Sequence, residues 1–268
     1  RIVGGQDIEP TNRYPWFARV IGNKPDGSGL DACGGSLIAP DLVLTAAHCT
    51  EPTIIYLGVY DLDNKPDNSG YDVIANVRHP LYGTGNYSID YNIMISQLAI
   101  PVPSIIAQPI RLNFDPNYPN DNTDAGLDLT MLGFGSIIGG PETGLPNPPN
   151  QESSLLQSAT TNYVPLSTCA MSKDPNTGVV YGVDYPQRTS VKENWFCTVD
   201  DVTATCFGDG GGPIIKEHYF SNFNNNNYNQ DTDTNDLLLG VISGASGYCG
   251  NQYLPLWNSR ISFHKEWI

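Results

Sequence analysis

Two short stretches hold the residues best equipped for chemistry. His48 ends "LTAAH" immediately before Cys49, and the loop "CFGDGGGP" at 206–213 sets a lone carboxylate, Asp209, in a run of glycines. An imidazole can take a proton from an attacking hydroxyl, and a glycine-rich turn can aim backbone N–H groups at a developing oxyanion. No hydroxyl stands between Cys206 and Pro213, however, and Gly210, at the heart of the loop, can supply no nucleophile. No His-Glu-x-x-His spacing is present, so a zinc hydrolase is not expected, and neither a metal nor a cofactor is called for. The six cysteines include no Cys-x-x-Cys pair, which favours disulfides and an oxidising setting, extracellular or in a secretory or organellar lumen.

The elements that position these residues read as short strands. Apolar segments are brief and bounded by turn residues, as in "VIGNKPDGSG" and "LGVYDLDNKPDNSGY", and the chain carries 27 Gly and 21 Pro. An all-β fold follows. The polar stretch "NFDPNYPNDNTDAG" at 113–126 serves as a linker between two halves, residues 1–115 and 116–268. Long surface loops are expected at 139–154 and 221–236, each a possible contact surface or a plain solvated insertion. Asp231, Asp233 and Asp236 offer calcium ligands but lack the glycine and distal glutamate of an EF-hand, so a solvated loop is the expectation there. In "SRISFHKEWI", Ile261, Phe263, Trp267 and Ile268 form the apolar side of a short docked helix. His79 reads as a strand-end residue, and His218 and His264 as surface residues.

Charge narrows the partners. With 28 acidic against 13 basic residues the formal net charge is −15, which opposes binding to nucleic acid and to anionic membranes. It serves solubility, or a basic protein partner. No apolar run approaches the ~18 residues of a membrane span. The sequon "NYS" makes Asn86 a glycosylation candidate.

Read in order, "RIVGG" at 1–5, "CGGSLIAPDLVLTAAHC" at 33–49, "YNIMISQL" at 91–98, "MLGFG" at 131–135, "CFGDGGGP", and "GVISGASGYCG" at 240–250 resemble the trypsin-like serine proteases over essentially the whole chain. The resemblance implies two six-stranded antiparallel β-barrels and a short C-terminal helix. It also implies disulfides Cys33–Cys49, Cys169–Cys197 and Cys206–Cys249. The first of these closes a loop worth about 3 kcal/mol in the chain-entropy picture. His48 falls on the catalytic histidine. The carboxylate position falls on Asn92, unless the register slips by two and Asp90 orients the ring. The serine position falls on Gly210.

An aspartate-to-asparagine change at such a site costs about 10⁴ in kcat, and loss of the serine costs on the order of 10⁶. The amides of Gly208 and Gly210 either keep an oxyanion-like nest or serve only a tight turn, and by the same resemblance Ile2 and Asp209 are the activation-type pair. The substrate-binding positions differ too: Ser243, Gly244 and Ala245 lack the family's aromatic wall, Ala204 replaces the carboxylate at the pocket base, and Leu256 is expected to fill the pocket. An inactive homologue that acts by binding protein, as a regulator, cofactor or assembly subunit, is the implied function. The alternative is a weak hydrolase using His48 and the residual nest.

Overall fold

A computed structural model describes residues 2–84, 90–136, 152–181, 193–218, 235–244, 251 and 253–268. Asn86, Ala245, Cys249, Asp231 and Asp233 lie outside the described residues. The first barrel comprises β2 (Phe17–Asn23), β3 (Leu30–Ala39), β4 (Leu42–Thr45), β5 (Pro52–Leu57), β6 (Gly70–Arg78) and β7 (Met94–Leu98), closed in the order β2-β3-β4-β7-β6-β5. Alternation drives the closure: Met94, Ser96 and Leu98 of β7 point inward while Ile95 and Gln97 are half-buried. Strand β5 likewise buries Ile55 and Leu57.

The second barrel comprises β9 (Asp128–Gly133), β10 (Gln157–Val164), β11 (Trp195–Val199), β12 (Pro213–Lys216), β13 (Leu237–Gly244) and β14 (Leu256–Arg260). It runs β10-β11-β14-β13-β12-β9 and closes through antiparallel pairing of β9 with β10. The all-β, two-barrel architecture expected from the sequence is present. Two additional strands join the second sheet: β1 (Gln6–Asp7) pairs β10, and β8 (Arg111–Leu112) runs parallel to β13.

Helix is scarce. Among the described residues, α1 (Leu166–Met171) carries Cys169 to its disulfide with Cys197. The C-terminal element is a 3-10 helix, Ile261–His264. Ile261 is buried and Trp267 and Ile268 pack against the first-barrel core, but Phe263 is exposed. Among the described residues no helix is long and apolar enough to cross a membrane.

Two expectations need correction. His264 is buried, not superficial: the tight 3-10 turn aims its ring at His79, 5.4 Å away, and His79 in turn stacks on Tyr91 at 4.6 Å. Burial, reinforced by the neighbouring His79, pushes the His264 pKa down to about 4. Asp236 is not a solvated loop residue: it is fully buried, and Arg13 holds it through both oxygens at 2.6 and 2.8 Å. A fully buried carboxylate is held by such a bidentate cation without any metal. His218 is exposed, as expected.

Candidate functional site

Strand β3 delivers one wall of the site. The Gly34 N–H donates to the carbonyl of Gly210 at 2.8 Å, and a Cβ on Gly34 would lie 2.6 Å from the Gly212 Cα. Only glycine lets the two barrels approach this closely. From the other side the loop is pinned to β13: Gly211 donates to the Ile242 carbonyl and Ile242 to that of Gly212, both at 2.8 Å. Gly211 sits at φ +79°, in the left-handed region, which turns the loop back beneath His48.

His48 lies in a turn closed by the Cys49 N–H on the Ala46 carbonyl at 3.2 Å, and Cys49 is bound to Cys33 on β3. This is the first of the expected disulfides, and Cys169–Cys197 is the second. Cys206 is disulfide-bonded as well. The sulfurs of Cys33 and Cys49 and a ring nitrogen of His48 cluster within 4.8 Å. With both sulfurs joined, that cluster is no metal set.

Asn92 meets His48 directly. Its Oδ1 accepts the backbone N–H of His48 at 2.8 Å, and its Nδ2 lies 2.8 Å from the ring Nδ1 and 3.4 Å from the Ser243 carbonyl. A backbone N–H can only donate and a carbonyl can only accept, so both flanks set the amide the same way round. Nδ2–H therefore donates to Nδ1, and the neutral ring carries its proton on Nε2. Asp90 does not take this place: it is buried and accepts from the Asn194 side chain at 3.4 Å. Behind Asn92, the Ser259 hydroxyl donates to its carbonyl at 3.0 Å and meets the Ser243 hydroxyl at 2.7 Å. Ser259 completes this shell, and no local pattern in the sequence points to it.

The other edge of the ring faces Gly210. A Cβ built there would stand 2.6 Å from His48 Nε2 and 3.0 Å from Cε1, so the imidazole fills the space a side chain would occupy. His48 is exposed to solvent, yet the flanking barrels remove enough water from its ring to lower its pKa, with Asp31 opposing. Neutral imidazole is the resting form.

Asp209 is fully buried. Its Oδ1 accepts from Gly135 N–H and its Oδ2 from Cys206 N–H, both at 2.9 Å. Desolvation nevertheless pushes its pKa up to about 6, against the pull of the chain's N-terminal amine, of these two amides and of Arg19. Ile2 is buried in the second-barrel core, where Val3 and Ala204 exchange backbone bonds at 3.0 and 3.2 Å. Gly208 adopts φ +92°. Among the described residues the N–H groups of Gly208 and Gly210 donate to no backbone carbonyl.

The pocket positions are rearranged. Leu256 does not fill a pocket; it points into the second-barrel core with Phe196 and Ile242. Strand alternation turns the next residue, Trp257, to the opposite face, where its ring covers Gly244: a Cβ there would come within 2.4 Å of Trp257 Cζ2. The bulky group at this position is thus one residue further on than expected.

Residues 2–268 match the Trypsin family. The chain belongs to that family. It is similar to glucanase inhibitor protein 3 of Phytophthora sojae, 27% identical over 257 residues, covering 93% of this chain and 82% of that one. It is 26% identical over 293 residues to phenoloxidase-activating factor 3 of Holotrichia diomphalia, covering 100% of this chain and 71% of that one. Among solved structures, the serine protease neuropsin from mouse superposes with a TM-score of 0.70 at 22% identity, over 98% of this chain and 96% of that one. That likeness shows the same fold.

Proposed function

We propose that this trypsin-family chain works by binding protein and does not cleave it. The observation that carries the reading is the contact of Asn92 Nδ2 with His48 Nδ1, set above a glycine at 210. A proton held on Nε2 makes that nitrogen a donor, while catalysis requires it to accept a hydroxyl proton. Gly210 provides no hydroxyl to accept from. The same tautomer counts against a hydrolase that activates water, since Nε2 would have to serve as its base. A relative named for inhibiting another enzyme, the glucanase inhibitor of Phytophthora sojae, supports a regulatory or inhibitory role. The disulfides support an extracellular setting.

The experiment is labelling with a fluorophosphonate probe. The native chain should stay unlabelled and release no product from a peptide library. Gly210→Ser alone should label at least about 10³-fold more slowly than Gly210→Ser with Asn92→Asp, because only the pair restores the tautomer. Peptide turnover by the native chain that disappears in His48→Ala would overturn the proposal.

A further inference from the structure

Away from the cleft, residues of segments 11–15, 57–69 and 105–106 join Leu156 around a cavity of roughly 710 Å³. Its floor is apolar, with Leu57 and Leu156 buried beneath it. At its lip stand Ile105, 90% exposed, and Ile106, 41% exposed. Two adjacent isoleucines left in water beside an apolar hollow form a surface that gains free energy when covered.

The walls are already set. Gly58 donates to the Pro15 carbonyl at 3.1 Å, Leu62 to Ser154 at 2.7 Å and Leu156 to Tyr60 at 2.8 Å. The turn that presents the isoleucines is closed by Ile106 N–H on the Pro103 carbonyl at 2.8 Å. Asp61 ties its own loop through the Asp63 N–H at 2.9 Å and the Asn64 side chain at 2.7 Å. A preformed hollow binds with little ordering cost.

Its rim is acidic. Asp61 and Asp67 line it, and the fields of Asp7 and Glu9 reach Tyr60 on the wall. One cation, Lys65, shares this rim: it bonds the Leu62 carbonyl, stands 5.5 Å from the Tyr56 ring centroid, and its field reaches Asp61, leaving Asp67 and the fields of Asp7 and Glu9 beside it. A second copy of this chain would bring another net charge of −15 to that rim, and an anionic lipid surface would be repelled as well.

We propose that this cavity docks a basic segment of a partner protein, which seats a large apolar side chain against Ile105 and Ile106 and sets flanking Lys or Arg against the acidic rim. The inference deepens the binding reading above and rests on it for the class of ligand, but it does not depend on loss of catalysis.

Calorimetric titration of the intact protein with three capped hexapeptides tests it: Lys-Arg-Phe-Leu-Arg-Lys, Lys-Arg-Ser-Ser-Arg-Lys and Glu-Asp-Phe-Leu-Asp-Glu. The first should bind at least about tenfold more tightly than either other, since both apolar burial and charge contribute. Ile105→Ser with Ile106→Ser should erase most of that advantage. Asp67→Asn, an exposed change, should weaken the first peptide about two- to fivefold and flatten its salt dependence. Equal binding of the first two peptides reduces the site to bulk charge and overturns the proposal. Equal binding of the first and third, or tight binding unmoved by all these variants, overturns it too. Fluorophosphonate labelling would sink the reading of the cleft and leave this site standing, whereas lost peptide discrimination would do the reverse.

Discussion

Asp209 and Asp236 are both fully buried carboxylates, and the molecule treats them in opposite ways. Asp236, at the edge of β13, faces the Arg13 guanidinium through two short bonds, with Glu217 joining the same cation at 3.3 Å. Asp209, beneath the glycine loop, is held through two backbone N–H groups. Desolvation outweighs the field of the chain's N-terminal amine, these two amides and the field of Arg19, and the Asp209 pKa rises to about 6. The difference teaches that Asp236 serves as a strut between the N-terminal segment and the second barrel. Asp209 is a group whose charge is costly to keep.

Removing the cation should produce the largest effect. Arg13→Met leaves Asp236 charged and buried, and should lower stability by about 3 kcal/mol in urea unfolding near neutral pH. A loss below about 1 kcal/mol would mean that Asp236 escapes to water, and the contrast with Asp209 would collapse.

Next in size is the pH response of Asp209. Its folded pKa lies above the unfolded value of 3.8, so the folded state holds the proton more tightly across that interval. Stability contributed by this group is present below about pH 3.8 and is lost as pH rises through about 6, roughly 3 kcal/mol in all. Asp209→Asn should abolish that component, so the gap between native and variant stability should narrow from about pH 4 to about pH 7. A gap that widens over this range would show that the surroundings of Asp209 favour its charged form, and would overturn the prediction.

The smallest effect should come from the rim of the Arg13 cluster. Glu217 is part-exposed and accepts from the Tyr14 hydroxyl as well as from Arg13. Glu217→Gln keeps an acceptor and removes an outer charge, so it should change stability by less than about 1 kcal/mol. A larger loss would place the weight of the cluster on Glu217 and not on Asp236.

Much of this protein is written in short stretches of its sequence. Period-2 alternation such as that of Met94, Ser96 and Leu98, cut by Gly and Pro, determines strands, and the order of six blocks determines two barrels. The family resemblance that those blocks carry implied the disulfides Cys33–Cys49 and Cys169–Cys197, which the structure holds, and singled out Asn92 and Gly210. What those residues do to each other was decided only in three dimensions. The amide of Asn92 is set by a backbone donor 44 residues earlier and a carbonyl 151 residues later, and no local pattern encodes that pair of constraints. The burial of His264, the exchange of roles between Leu256 and Trp257, and the pairing of Arg13 with Asp236 across 223 residues are of the same kind. Sequence spacing dictates which face of a strand a side chain takes relative to its neighbours, whereas the partner that a polar atom meets depends on how distant strands are brought into register.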